Sequence, residues 1–207
     1  MSVSDSKIDE ATSLFEKHGG VLRTTEAEEV GIHNRTLYYM LEHGYVEKLD
    51  RGLYKLATKE ISLSHLGLII ISKKVPEAKI CLISALDFHD MTTEIPHKIH
   101  IDISRTMGDP KVTHPPVRTY RFSGQSLTEG IEEHDIDGAK ISVYSPAKTI
   151  ADCFKFRKQI GLDIAIEALK SGIKAKKATY NDILKYADIC RVKSVIRPYA
   201  ETIAHNS

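Results

Sequence analysis

Apolar residues fall at Ile8, Ala11, Leu14 and Phe15 with polar residues between them. That three-to-four spacing predicts a helix with one inward face, ended at His18-Gly19-Gly20 where glycine accepts the left-handed C-cap. Thr25 and Glu28 have capping-box spacing, so a short second helix is expected to run to about Val30, and Gly31 then permits a tight turn. Asn34 is expected to cap a third helix. On it Leu37, Met40 and Leu41 face inward, which leaves Asn34, Arg35, Tyr38 and Glu42 on the outer side and Tyr39 at the margin, with Gly44 closing the element. The run that follows has two short β-prone stretches around Asp50-Arg51-Gly52, a hairpin signal. Three helices and a hairpin predict a winged helix-turn-helix domain over residues 1–57.

The pattern changes after a linker at residues 58–62. The run "LSHLGLIIISKKV" reads as a helix, with Pro76 beginning a new unit, "AKICLIS" as a buried strand and "ALDFHDM" as a short helix. Alternation at 98–104, 117–122 and 139–144 predicts three strands of one sheet. Ser145-Pro146 starts a helix whose apolar face is Ile150, Ala151 and Phe154. Leu162, Ile166, Leu169 and Ile173 mark another, Thr179 with Asp182 opens a third, and Val192 to Ile203 forms a fourth that kinks or restarts at Pro198. The expected fold class is therefore α+β: the winged helix-turn-helix, then a mixed α/β C-terminal domain over residues 63–207 that ends in a helical tail.

Composition narrows the classes. With 42% hydrophobic and 28% charged residues, the 207-residue chain has the profile of an ordinary globular protein. It has no apolar run approaching the roughly 20 residues that cross a bilayer and no signal-peptide pattern at its start, so it is expected in the cytoplasm without a membrane partner. Cys81, Cys153 and Cys190 stand singly without a CxxC pair and read as core thiols. No cofactor or bound metal is expected. Charge is uneven: residues 1–57 hold seven Lys and Arg against ten Asp and Glu, a net of −3, while the remainder nets +4.

An exposed third helix with Arg, Asn and Tyr suits entry into a DNA major groove. Arg35 is placed to donate a bidentate pair to guanine, Asn34 to address adenine or a phosphate, and Tyr38 or Tyr39 to touch the sugar-phosphate, with Lys48 and Arg51 on the wing. Lys174, Lys176 and Lys177 belong to a basic stretch, with Lys170, Lys185, Arg191, Lys193 and Arg197, that offers further phosphate contacts. Two alternatives stand beside this reading. The acidic net charge of residues 1–57 is compatible with a protein-docking adaptor. Lys98, His100 and Asp102 share a strand face, as in a metal-dependent nuclease-like enzyme, although no phosphate loop or nucleophile motif accompanies them.

The run "FEKHGGVLRTTEAEEVGIHNRTLYYMLEHGYVEKLDRGLYKL" resembles the N-terminal winged helix of AbiEi-type antitoxins. The resemblance rests on Gly19-Gly20, Gly31-Ile32, Leu37-Tyr38 through Gly44, and Arg51-Gly52-Leu53-Tyr54-Lys55-Leu56. "SALDFHDMTTEIPHKIHIDI" and "YSPAKTIADCFKFRKQIGLDIAIEAL" are similar to later segments of the family, which extends the likeness to roughly residues 8–203. It implies a non-enzymatic antitoxin of a type IV toxin-antitoxin system. Such a protein represses its own operon by binding inverted repeats in double-stranded operator DNA and counters a nucleotidyltransferase toxin of the AbiEii type, directly or indirectly.

Overall fold

The structure, a computed structural model, describes residues 3–205 and is a mixture of helices and two sheets. Its chain forms two compact units: the first comprises the residues up to Pro76 with Lys111–Pro115 and His134–Ile141, and the second holds Glu77–Pro110, Pro116–Glu133 and the residues from Ser142 on.

The first unit runs α1 (Asp5–Lys17), β1 (Val21–Arg23), α2 (Thr24–Glu29), α3 (Asn34–Glu42), β2 (Val46–Asp50), β3 (Leu53–Leu56) and α4 (Leu63–Lys74). The three strands form an antiparallel sheet in the order β1-β3-β2, with Leu22 opposite Tyr54 and Val46 opposite Leu56. This arrangement is consistent with a winged helix. Its core gathers Ala11 and Phe15 of α1, Leu22, Ala27, Ile32, Leu37 and Met40 with Val46, Tyr54 and Leu56 of the hairpin. Ala11, Phe15, Leu37 and Met40 are inward positions that the three-to-four spacing selects, whereas Leu14 and Leu41, read as inward too, are only partly buried. Gly19 shows why a small residue ends α1. Its φ is +80°, and a Cβ there would lie 1.9 Å from the Asp137 carbonyl oxygen, so the backbone of the 137–138 turn occupies that space.

Three local expectations are corrected here. The cap of α2 is formed earlier than Thr25–Glu28: the Glu26 carboxylate accepts the Arg23 backbone N–H at 2.8 Å, so the reciprocal bond comes from the third helical residue alone. His33, not Asn34, is the N-cap of α3, and its side chain makes no capping bond. The linker expected at 58–62 lies inside the first unit, which continues through α4; Leu68, Ile69, Ile70 and Ile71 of that helix are all buried.

The second unit contains β4 (Lys79–Ile80), α5 (Leu82–Phe88), β5 (Ile99–Asp102), β6 (Val117–Tyr120), α6 (Gln125–Thr128), β7 (Ile131–Ile136), β8 (Ala139–Tyr144), α7 (Pro146–Lys155), α8 (Arg157–Ile160), α9 (Leu162–Lys174), α10 (Tyr180–Ile189) and α11 (Lys193–His205), the end of the β7-β8 hairpin being grouped with the first unit. The sheet order is β6-β5-β4-β8-β7, with β4 antiparallel to β5 and parallel to β8, and β5 parallel to β6. "AKICLIS" contributes only two strand residues before Leu82 opens α5, and α11 runs through Pro198 as one helix. At the centre lies α7, begun by the Ser145 hydroxyl, which accepts the Lys148 N–H, with Pro146 at its first position. Every residue from Ala147 to Phe154 is buried, so this helix is covered on all sides by protein.

Candidate nucleic-acid interface

The turn from α2 to α3 is set by backbone. Gly31 takes φ +100°, and the Ile32 N–H donates to the Ala27 carbonyl at 2.8 Å, which plants Ile32 in the core and aims α3. Thr36, Leu37 and Met40 are then buried, and the opposite face carries Arg35 and Tyr38, the latter 55% exposed. Asn34 stands at the first turn beside them, but its side-chain amide donates to the Glu28 carboxylate of α2. One of its two donors is thus committed within the protein. Tyr39 is half-buried and stacks on His43, ring centroids 3.8 Å apart and planes 17° from parallel, with His43 Nδ1 2.9 Å from the Tyr39 carbonyl oxygen. That stack holds Tyr39 along the flank of the helix.

The hairpin presents Lys48 and Arg51, both exposed. Its tip is fixed by residues that local pattern does not reveal. The Asp50 carboxylate accepts the Arg51 N–H at 2.6 Å and lies 3.3 Å from Lys74 Nζ, which also donates to the Arg51 carbonyl at 3.0 Å. Burial works to raise the Asp50 pKa, but the Arg51 N–H and Lys74 outweigh it and hold the carboxyl below its ordinary range. One residue earlier, Lys73 donates to Glu26 at 2.8 Å, the same side chain that caps α2. Two adjacent lysines of α4 therefore tie down the start of α2 and the hairpin turn. Their partners lie 47 and 23 residues away, and in sequence the pair reads only as cations suited to a helix C-terminus. By contrast, the side chains of Arg35, Tyr38, Lys48 and Arg51 make no hydrogen bond or ion pair among the described residues.

The three tail lysines belong to the second unit. Lys174 and Lys176 are exposed, Lys176 just past the end of α9 at φ +54°. Lys177 is engaged: its ammonium donates to the His89 carbonyl and lies 3.4 Å from the Asp90 carboxylate. Further on, Lys193 pairs with Asp188 at 3.7 Å and Arg197 with Glu201 at 2.8 Å, so acids interrupt the basic stretch.

His100 and Asp102 are both buried rather than displayed. Asp102 accepts the Phe122 N–H at 2.8 Å and faces the Tyr144 hydroxyl at 2.6 Å, which also lies 2.9 Å from the Leu127 carbonyl. A phenol has one proton for those two acceptors. The Tyr144 proton goes to the Asp102 carboxylate, with the Leu127 carbonyl as a second acceptor nearby. Burial pushes the Asp102 pKa up to about 6, against the pull of the Tyr144 and Phe122 donors, while burial and Arg118 lower that of His100 to about 4. Among the described residues no three His, Cys, Asp or Glu side chains gather as a metal-holding group. All three cysteines are free and buried, and burial raises the pKa of each. No described helix is long and apolar enough to cross a membrane.

The comparison with curated proteins yields no match. A family model described as "Transcriptional regulator, AbiEi antitoxin" matches residues 9–57, the stretch from α1 to the end of the hairpin. This segment holds Arg35, Tyr38, Lys48 and Arg51, whereas Lys73 and Lys74 lie beyond it. Residues 9–57 are thus similar to the AbiEi antitoxin family of transcriptional regulators.

Proposed function

We propose that the protein is an antitoxin and autorepressor of a type IV toxin-antitoxin system: its first unit is a winged helix-turn-helix that binds inverted repeats in operator DNA, and its second unit counters a nucleotidyltransferase toxin of the AbiEii type. The observation that carries the DNA half is the row of exposed side chains on α3 and the hairpin (Arg35, Tyr38, Lys48 and Arg51), without partners among the described residues, within the family-matched segment. In this reading α3 enters the major groove, Arg35 donates to a guanine edge, Tyr38 and Asn34 meet the backbone or a neighbouring base, and Tyr39 lies against the sugar-phosphate at the flank. Lys48 and Arg51 grip phosphate or the adjoining minor groove, and Lys174, Lys176 and Lys177 add non-specific phosphate attraction. The protein works in the cytoplasm, where both partners are found, and requires no cofactor.

The toxin half is supported by the second unit's separate core and by the likeness of "YSPAKTIADCFKFRKQIGLDIAIEAL" to AbiEi-type proteins. Fluorescence anisotropy of the full chain on a duplex from upstream of its reading frame tests the first half. The expected result is salt-dependent binding, at least tenfold tighter than to scrambled duplex. Rescue of cells expressing an AbiEii-type nucleotidyltransferase encoded beside the protein, by wild type and by Arg35→Ala alike, tests the second, and the absence of such a neighbour would count against it. A chain that rescues but shows no salt-dependent DNA binding is a protein-docking adaptor instead.

A further inference from the structure

The second unit contains a chain of polar groups that neither the DNA reading nor the toxin reading uses. Lys148 Nζ donates to Asp152 at 2.5 Å, both side chains fully buried on α7, and the second Asp152 oxygen accepts from the Cys190 thiol at 3.2 Å. Cys190 Sγ lies 3.7 Å from the buried Ser126 hydroxyl, which accepts from Lys155 Nζ at 3.1 Å. The chain reaches the surface in a cleft of about 450 Å³ lined by Ser123, Gln125, Ser126, Lys155, Asp188 and Arg191. That volume is within the range of small-molecule sites, roughly 300–1,000 Å³.

The two cations at this cleft are held in different ways. Lys155 Nζ sits 5.3 Å from the Phe122 ring centroid and 5.7 Å from that of Phe156, and one of its three donors is used by Ser126, which leaves two. Arg191 follows the C-cap of α10 at φ +58°, with its N–H on the Asp188 carbonyl at 3.0 Å and the Val192 N–H on the Ala187 carbonyl at 2.8 Å. Glycine is the residue that this left-handed position accommodates without strain. An arginine stands there instead, and its guanidinium makes no hydrogen bond or ion pair among the described residues. The one acid in the lining, Asp188, is already paired with Lys193 at 3.7 Å.

We infer that this cleft is a binding site for a phosphate group, with the Arg191 fork and the two remaining Lys155 donors as its ligands and Ser126 as the residue that positions Lys155. Two cations, Lys155 held by Ser126 and its aromatic neighbours and Arg191 on a backbone of fixed conformation, stand beside an acid already paired with Lys193; together they match the charge of a phosphate monoester, and the guanidinium offers it paired N–H donors. The source is a free phosphate ion or the phosphate of a small molecule such as a mononucleotide.

The test titrates the full chain, without DNA, with inorganic phosphate, adenosine 5′-monophosphate, guanosine 5′-monophosphate and adenosine, followed by calorimetry and by the unfolding midpoint. Saturable binding of phosphate or of a monophosphate, with none of adenosine, is expected. Tighter binding of a monophosphate identifies a nucleotide as the source, and equal binding identifies the free anion. Arg191→Gly is expected to raise the midpoint of the ligand-free protein by releasing the backbone strain while weakening phosphate binding at least tenfold, and Lys155→Met is expected to weaken it similarly. Absence of saturable binding to the wild type, or undiminished binding in both variants, overturns the site. Because these titrations contain no DNA, and the repressor reading is tested separately by wild-type binding to the operator duplex, failure here is distinguishable from failure of the repressor reading.

Discussion

The outer face of α3 and the heart of α7 put polar side chains to opposite uses. On α3 and the hairpin, the side chains of Arg35, Tyr38, Lys48 and Arg51 stand in solvent with no hydrogen bond or ion pair among the described residues, on a scaffold whose backbone is held by Lys73 with Glu26 and by Lys74 with Asp50 and the Arg51 carbonyl. On α7, Lys148 and Asp152 are sealed from solvent and paired with each other, with the Lys148 ammonium 4.2 Å from the Tyr144 ring centroid and 4.8 Å from that of Phe122. Exposed surface cations add little to stability, whereas a buried charge that loses its partner is costly. Substitutions in the two places therefore have different signatures: function without stability in the first, stability before function in the second.

The largest effect is expected from Lys148→Ala, which strands the Asp152 carboxylate in the core and should cost about 3–5 kcal/mol in urea unfolding. The double replacement Lys148→Met with Asp152→Leu should recover most of that loss. Recovery separates a pair kept for packing from one whose charge the fold requires.

An effect of up to about 3 kcal/mol should appear as pH dependence. Asp102 titrates near 6 in the folded chain against an ordinary value of 3.8, so its contribution is complete below about pH 4 and is lost as pH rises through 6. His100, lowered from 6.5 to about 4, acts in the opposite sense: its neutral burial costs stability as pH falls below 6.5. The two slopes oppose each other between pH 4 and 6. Asp102→Asn removes the first, so this variant should gain stability with rising pH more steeply than wild type over that interval. Parallel curves for the two proteins would break the assignment.

The smallest effect, about 1 kcal/mol or less, is expected from Lys74→Met, which frees the hairpin tip from α4. It should weaken DNA binding several-fold by loosening Arg51 while leaving base preference unchanged. For the same reason residues 1–57 alone should bind more weakly than the full chain, since that fragment lacks Lys73, Lys74 and the buried face of α4. Circular dichroism of the fragment distinguishes weak binding from failure to fold.

How much of this was readable from sequence depended on the distance over which each signal acts. The inward row Leu37, Met40, Leu41 and the outward Arg35 and Tyr38 follow from helical period alone, as does the Ser145-Pro146 start of α7. The three-residue strand β1 was not legible, because "VLR" becomes a strand only by pairing with Leu53–Lys55 some thirty residues on. Strand β7 was also missed: "IEEHDI" carries so many charges that its alternation is faint, although Ser142 on β8 donates to Glu133 across the hairpin. Helix caps moved by one or two residues: at α2 the Glu26 carboxylate caps from the third helical position, and α3 has His33 as its N-cap without a side-chain capping bond. The burial of His100 and Asp102 could not be seen, since a strand within a sheet covered on both faces loses the contrast between exposed and hidden positions.

The central claim is that Arg35 reads a base from a surface built for that purpose. Its most direct test is the affinity of wild type and Arg35→Ala for operator and scrambled duplexes over a range of salt concentrations, with unfolding curves recorded in parallel. Arg35→Ala should lose about 1–3 kcal/mol on the operator and much less on scrambled DNA, with its unfolding midpoint unchanged. Equal losses on both duplexes would contradict the claim and reduce Arg35 to one more phosphate contact.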